Sequence, residues 1–272
     1  MLSRLETAKF VINPKNPRSL FKYRKFDQNA LQNLINDKVW LAAPGSFNDP
    51  FDCQINIDRK HSDEEIQAYL NFNSESQGDT KRYTLEEIPK EREFYESELN
   101  RLDNGVRNAG IFSLSTTPFE PLMWAHYADE HRGFCIEYER SQDNDLNADN
   151  CFKVEYGKPI FPILRGLDYF KAPDDEVMKI LTYKAKSWRY ENEWRFVQMW
   201  KTPPELKERS YRLKAHILSI SFGVRMQRRE ALTIIKIFRN DTRIKFYRMS
   251  IIPEQFALKA ILYRFSAEEF DL

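Results

Sequence analysis

At 272 residues the chain can bury a sizeable core, as one large domain or two small ones. Its 42 Lys and Arg oppose 41 Asp and Glu, so overall charge draws no nucleic acid and any such partner must be held by a local patch. Apolar residues at 42% and aromatics at 14% exclude wholesale disorder, and Cys53, Cys135 and Cys151 are too few and scattered for a disulfide framework or a Cys-x-x-Cys zinc site.

Residues 1–10 carry Arg4, Glu6 and Lys9 where a leader would be apolar, and nowhere do eighteen uncharged apolar residues run together; the expectation is a cytoplasmic protein with no membrane span. After a lead-in holding Pro14 and Pro17, residues 20–26 alternate like a strand with one buried face. Asp27 then caps a short helix with Ala30, Leu31, Leu34 and Ile35 at helical spacing, and residues 39–42 resume as strand. Residues 44–52 gather turn formers around Phe47 and Phe51; rings of that size are out of place in a purely solvated loop, so an ordered loop beside a cleft is expected. From about 60 to 108 the chain turns charged and helical, with a Gly/Ser/Gln bridge over 73–80, and reads as a helical insertion.

A strand over 110–116 ends in hydroxyl residues, Pro118 and Pro121 introduce a helix over 122–128, and residues 133–138 return as strand. The remainder reads as strand 151–156, helix 174–186 capped by Asp174, strands 193–199 and 215–222, helix 227–238, and strands 244–249 and 256–262. Strands joined both directly and through helices give an α+β fold with a mixed sheet, in place of strict parallel alternation.

Several groups carry candidate chemistry. Glu191 and Glu193 stand two apart at a strand entrance, where alternation would point both to one side and like charge would raise one pKa. As a bare Glu-x-Glu the pair reads as readily as two solvent-facing glutamates. Tyr23 and Arg24 end the first strand, where an aromatic beside a guanidinium suits a nucleotide's phosphate or ribose. Ser113, Ser115 and Thr116 offer hydroxyls that orient a polar ligand, support a glutamate, or simply turn the chain into its next helix. Asn48 and Asp49 touch a ligand or close an Asx turn, and His126 reads as a pocket contact or a packing residue. His126 and His131 lie five apart and share no helical face, so no metal is expected. Trp188 and Tyr190, among Lys184, Lys186 and Arg189, stack on a base or anchor their loop to the core.

Taken in order, Arg24 ending a first strand, the Ser113 to Thr117 run on a second and Glu191-x-Glu193 on a third resemble the ADP-ribosyltransferase superfamily in its Arg/Ser-Thr-Ser/Glu-x-Glu form. The match stops at the first strand's lack of a His and at a second strand reading Ser-Leu-Ser-Thr-Thr. The resemblance implies a mixed, mainly antiparallel split sheet with flanking helices, one domain over the whole chain, and NAD as substrate without a metal. It makes Arg24 the clamp on the NAD phosphates and ribose, with Tyr23 beside it. Ser113, Ser115 and Thr116 shape the nicotinamide pocket, and Phe47, Asn48 and His126 are further NAD contacts. Glu193 becomes the catalytic carboxylate that stabilises oxocarbenium-like charge, Glu191 orients or deprotonates the acceptor, and Trp188 and Tyr190 bind that acceptor.

A second set of motifs resembles a widespread bacterial family of uncharacterised proteins often suspected in phage defence. It comprises Ser46-Phe47-Asn48-Asp49-Pro50-Phe51, Met123-Trp124-Ala125-His126-Tyr127-Ala128 with His131, Gly133-Phe134-Cys135-Ile136, and Trp188 with Glu191-x-Glu193-Trp194-Arg195. Together the resemblances imply a mono-ADP-ribosyltransferase acting as a toxin or anti-phage effector on a nucleic-acid or protein acceptor, with an antitoxin or immunity partner. The alternatives are a non-catalytic nucleotide- or partner-binding module and, ranked last, a metal-dependent nuclease using Asp49, Asp52, His126 and the two glutamates. The leading reading gains most if Arg24, Ser115 and Glu193 sit on adjacent strands around a common cleft, and fails if their side chains face different sides of the sheet.

Overall fold

The computed structural model describes residues 16–54, 56–147, 149–158, 163–165, 173–200 and 202–265; the expectations for residues 1–10 and for Pro14 lie outside them. The first half of the chain forms β1 (Ser19–Arg24), α1 (Gln28–Ile35), β2 (Val39–Trp40), β3 (Asn56–Asp58), α2 (Asp63–Ser76), α3 (Ile88–Asn108), β4 (Gly110–Ser115), α4 (Pro121–Tyr127) and β5 (Phe134–Glu139). Then come β6 (Cys151–Lys153), β7 (Glu155–Gly157), β8 (Ile163–Arg165), α5 (Pro173–Thr182), β9 (Tyr183–Ala185) and β10 (Glu193–Gln198). The chain continues through β11 (Ser210–Tyr211), β12 (Ile217–Phe222), α6 (Arg228–Ile237), β13 (Lys245–Ile251) and β14 (Leu258–Leu262).

Asp27 caps α1 as expected, accepting from the Ala30 N–H, and Ser62 opens α2 with a capping box through Glu65. Three expectations are corrected. Asp174, expected to cap its helix, falls inside it, since the helix begins at Pro173. The helix expected over 174–186 ends at Thr182; Tyr183–Ala185 leaves as β9, parallel to β7, and Lys186–Glu191 is a 3₁₀ turn. The strand expected over 151–156 divides at Val154, whose N–H is taken by the Glu193 carbonyl, so that β6 joins the main sheet and β7 turns away to β9.

Eight strands form the main sheet in the order β14-β13-β12-β5-β1-β4-β10-β6, antiparallel throughout except for β12 beside β13, which α6 connects. The fold is α+β with a mainly antiparallel sheet. One face carries Leu20, Phe112, Leu114, Phe134, Ile136 and Phe196 against α1 and α6. On the other, Tyr23 and Cys135 pack on Met123 and Trp124 of α4, while Ile111 and Val197 pack on Val106 of α3 and Ile180 and Leu181 of α5. Helices α2 and α3 close a separate cluster around Ile66, Tyr69, Tyr95 and Leu99, the core of the expected insertion.

The sheet is nearly divided in its middle. Strand β1 pairs with β5 at six positions and β4 with β10 at six, yet β1 meets β4 at one, Phe21 opposite Ser115. Beyond that point the Lys22 ammonium reaches across and donates to the Ser113 carbonyl at 2.7 Å, occupying an acceptor that a continued ladder would use.

The far end of β1 is fixed by close backbone approach. Asp129, Glu130 and His131 all take left-handed φ angles (48°, 51° and 71°), and this turn brings Gly133 against β1. A Cβ on Gly133 would lie 2.1 Å from the Arg24 carbonyl oxygen and 3.0 Å from that of Ala128. Gly133→Ala is therefore expected to destabilise the protein by about 1–3 kcal/mol through overpacking against backbone. Chemical denaturation reads the loss; an unchanged midpoint would show that β1 yields freely there.

Candidate active site

The site is built around a guanidinium with no exposure. Arg195, on β10, is 0% exposed, and all five of its N–H groups are taken. Nη1 and Nη2 grip Asp52 Oδ1 and Oδ2 at 2.9 and 2.6 Å; Nε and Nη2 donate to Glu193 Oε1 and Oε2 at 2.9 and 3.0 Å; Nη1 also donates to the Leu181 carbonyl at 2.7 Å. Asp52 reaches this point because Asp49 accepts from the Phe51 N–H in an Asx turn and Cys53 adopts a left-handed φ of 56°. Phe47 covers the guanidinium, its ring centre 5.4 Å from Cζ. Phe51, expected to be sheltered, is 67% exposed.

A second cation shares the carboxylates. Lys184 Nζ lies 2.6 Å from Glu191 Oε2 and 3.3 Å from both Glu193 Oε2 and Asp52 Oδ2. The Tyr127 hydroxyl donates to Glu191 Oε1 at 2.5 Å, and Asn48 Nδ2 donates to that hydroxyl at 3.3 Å. The two glutamates converge for a different reason from strand alternation. Glu191 closes the 3₁₀ turn, Asn192 is left-handed (φ 44°, ψ 50°), and only Glu193 is on the strand. Ser115 Oγ holds the Glu191 carbonyl at 2.7 Å, and the Glu193 N–H donates to the Tyr156 hydroxyl at 2.8 Å, so both backbones are clamped.

This environment separates the two acids. Burial raises Glu191, the charge of Glu193 raises it further, and Lys184 only partly offsets them. Burial would raise Glu193 too, but Arg195 and Lys184, with hydrogen bonds from Arg195 and Ser113, hold it well below the usual carboxylate range. On β1, Lys22 is lowered to about 7, first by burial and then by Arg24, against the opposing pull of Glu193 and Glu191.

A cleft of about 600 Å³ opens where β1 and β4 part. Of the residues singled out in the sequence, Tyr23, Arg24, Phe47, Asn48, Ser113, Ser115, His126, Glu191 and Glu193 border it. Thr116, Trp188 and Tyr190 do not. Thr116 is 2% exposed, turned away from Ser115 by alternation, and its hydroxyl has no partner among the described residues. Trp188 and Tyr190, both half-buried, form an aromatic row beside the cleft: their ring centres are 6.1 Å apart, and Tyr190 lies 6.2 Å from His126 at the rim. Tyr23 is spent on structure, its hydroxyl donating to the Thr117 carbonyl at 2.7 Å.

The side-chain facing set as a condition of the leading reading is not met, although all three residues border one cleft. Phe21, opposite Ser115, shares the face of Ser115 and Glu193, so alternation places Lys22 and Arg24 on the opposite face. They reach the cleft only because the sheet is open there. Lys184, read as positive charge for a nucleic acid, is instead an internal counter-ion, its side chain 5% exposed. Lys22 carries no role in the sequence motifs; Tyr127 and Arg195 stand in them without one, and Asp52 belongs there only to the nuclease set. The ion-pair signal was present, since Arg195 alternates with Glu193, but its acidic partner Asp52 lies 143 residues away. Of the nuclease set, Asp52, His126 and the glutamates border the cleft, but the three carboxylates have Arg195 and Lys184 as counter-ions, and among the described residues no three His, Cys, Asp or Glu side chains group to hold a metal.

The fold and site thus define an α+β protein with a buried ion-pair cluster at the floor of a polar cleft. Residues 123–196 match a family described as a protein of unknown function (DUF2971), a stretch that holds His126, Tyr127, Lys184, both glutamates and Arg195. No curated protein and no solved structure matches the chain.

Because removing one partner strands the others in a dry interior, Arg195→Met is expected to cost about 3–5 kcal/mol of stability. Urea unfolding measures this; a loss under about 1 kcal/mol would show the cluster to be solvated.

Proposed function

We propose that the protein transfers ADP-ribose from NAD to a macromolecular acceptor, a nucleic acid or a protein. The observation that carries this reading is the junction of β1, β4 and β10: three adjacent strands, opened between the first two, around one cleft bordered by Arg24, Ser113, Ser115, Glu191 and Glu193. Its volume of about 600 Å³ suits a nucleotide-sized ligand.

In the reaction the bond between the nicotinamide nitrogen and the ribose carbon breaks, and its electron pair leaves with nicotinamide. The ribose carbon becomes oxocarbenium-like. Three carboxylates (Asp52, Glu191, Glu193) face two cations (Lys184, Arg195) at the cleft floor, which leaves an excess negative charge, the sign that stabilises such a carbon. Glu193, held by Arg195 and Lys184, acts without reorganising. As the acceptor's oxygen or nitrogen bonds to the ribose carbon, its proton passes to Glu191. Arg24 supplies positive charge for the diphosphate, and the row of His126, Tyr190 and Trp188 lies where an acceptor would approach.

A second reading, a binding module on the same cleft, is favoured by one observation: both Glu193 oxygens are already engaged by Arg195, one of them also by Lys184. Incubation with NAD and cell lysate separates the two. Nicotinamide release with ADP-ribose incorporation is expected, falling at least about a hundredfold in Glu193→Gln. A melting curve for that variant guards against misfolding. Arg24→Met, at a half-buried residue with no ion-pair partner among the described residues, should fold and raise KM about tenfold. NAD binding in calorimetry without nicotinamide release would establish the second reading; absence of NAD binding would sink both.

A further inference from the structure

The two ends of the cleft differ in charge. The carboxylate cluster lies at one end; at the other, Lys22 and Arg24 follow each other on the same face of β1, and Lys25 also borders the space. Lys22 carries three N–H donors, and the hydrogen bond it makes to the described residues goes to the Ser113 carbonyl at 2.7 Å. Its Nζ also stands 4.9 Å from the centre of the Phe112 ring. Arg24 has no hydrogen-bond or ion-pair partner among the described residues. A half-buried ammonium with donors to spare, facing a cleft beside a guanidinium that has no partner among the described residues, is an arrangement that an anionic oxygen completes.

We propose that Lys22 is a ligand-contacting residue of this cleft, its ammonium joining Arg24 in taking the pyrophosphate oxygens of a dinucleotide whose ribose end lies at Glu191 and Glu193. This rests on the reading of the cleft as an NAD site. Of the two cations on that face, Lys22 stands one residue from the pinch at Phe21 and Arg24 three, so Lys22 is the one nearer the carboxylate end.

The charged and titratable neighbours of Lys22 come from every side: Arg24 on its own strand, Glu193 on β10, Glu191 on the 3₁₀ turn, and the Cys135 thiol on β5. Burial and then Arg24 lower its pKa to about 7, while the two glutamates and Cys135 oppose them. The empty cleft therefore gives up the Lys22 proton as pH rises through neutrality, and a bound pyrophosphate draws it back. The sign follows: binding takes up a proton, and affinity falls as pH rises above about 7. If the bound lysine titrates above about 9, linkage gives roughly a tenfold loss between pH 7 and 8.5.

ADP-ribose is the probe, since its diphosphate does not titrate in this range, with adenosine as the phosphate-free control. Calorimetry in two buffers of different ionisation enthalpy should show proton uptake on ADP-ribose binding, an affinity about tenfold weaker at pH 8.5 than at pH 7, and no pH slope for adenosine. Lys22→Met should bind ADP-ribose at least about tenfold more weakly at pH 7 and lose the slope; Lys22→Arg should recover most of the affinity and stay flat, because a guanidinium does not titrate. Without ligand, Lys22→Met should be no less stable than the parent at pH 6, where the parent holds a charged, half-buried ammonium. Three results overturn the proposal: a Lys22→Met protein that keeps the pH slope, one that loses stability while keeping affinity, or failure of ADP-ribose to bind. NAD turnover that ignores Lys22 defeats this inference alone, whereas pH-dependent ADP-ribose binding without NAD turnover leaves it standing and removes the transfer reaction.

Discussion

The guanidinium of Arg195 is the constraint on which the site depends. It joins three segments far apart in the chain: the turn at Asp52, the end of α5 at Leu181 and the strand that bears Glu193. A buried ion pair of this kind gains little net stability over well-packed apolar residues, because taking the charges out of water offsets most of their attraction. What it does is fix position. With every N–H of Arg195 occupied, Asp52 and Glu193 have defined orientations, and Lys184 is held where it meets all three carboxylates. The cluster turns a loop, a helix end and a strand into one rigid floor.

The opening in the sheet is the second element, and it works only because that floor is rigid. A continuous ladder between β1 and β4 would close the space above the carboxylates; a pairing limited to Phe21 and Ser115 leaves it open, with Lys22 spanning the gap. The helices on both faces keep the two halves together, α1 and α6 on one side and α4 on the other. The cleft therefore draws side chains from both faces of one sheet, which brings basic residues of β1 to the same cavity as Glu193 of β10 and Glu191 of the turn before it. Charge of opposite sign at the two ends of a recess of this size favours a ligand that is itself divided, anionic along part of its length and electron-poor elsewhere.

Much of this was legible in the sequence, and the failures have physical causes. The alternation over residues 20–26 and the apolar runs over 110–116, 133–138 and 193–199 give strands within a residue or two of where they form, the central β4 and β10 being buried on both faces. The pairing of Glu191 with Glu193 was visible, but not its cause, since nothing local announces that Asn192 is left-handed. Lys184 was misplaced because a lysine next to aromatics and other cations is ordinarily solvated, and only the fold supplies three carboxylates to surround it. Spacing alone cannot tell that a sheet parts between two neighbouring strands, which is why Arg24 was expected on the face of Ser115 and Lys22 was overlooked. The end of α5 at Thr182 is likewise tertiary: β7 offers an edge that residues 183–185 take up in place of further helix.

The account turns on how NAD would lie in the cleft, and a crystal structure of the protein with NAD, or with an analogue that resists cleavage, addresses this directly. It predicts the nicotinamide ribose against Glu193, within hydrogen-bond reach of the carboxylate cluster, and the pyrophosphate against Lys22 and Arg24 at the opening between β1 and β4. NAD bound in the reverse orientation, or outside this cleft, would contradict it.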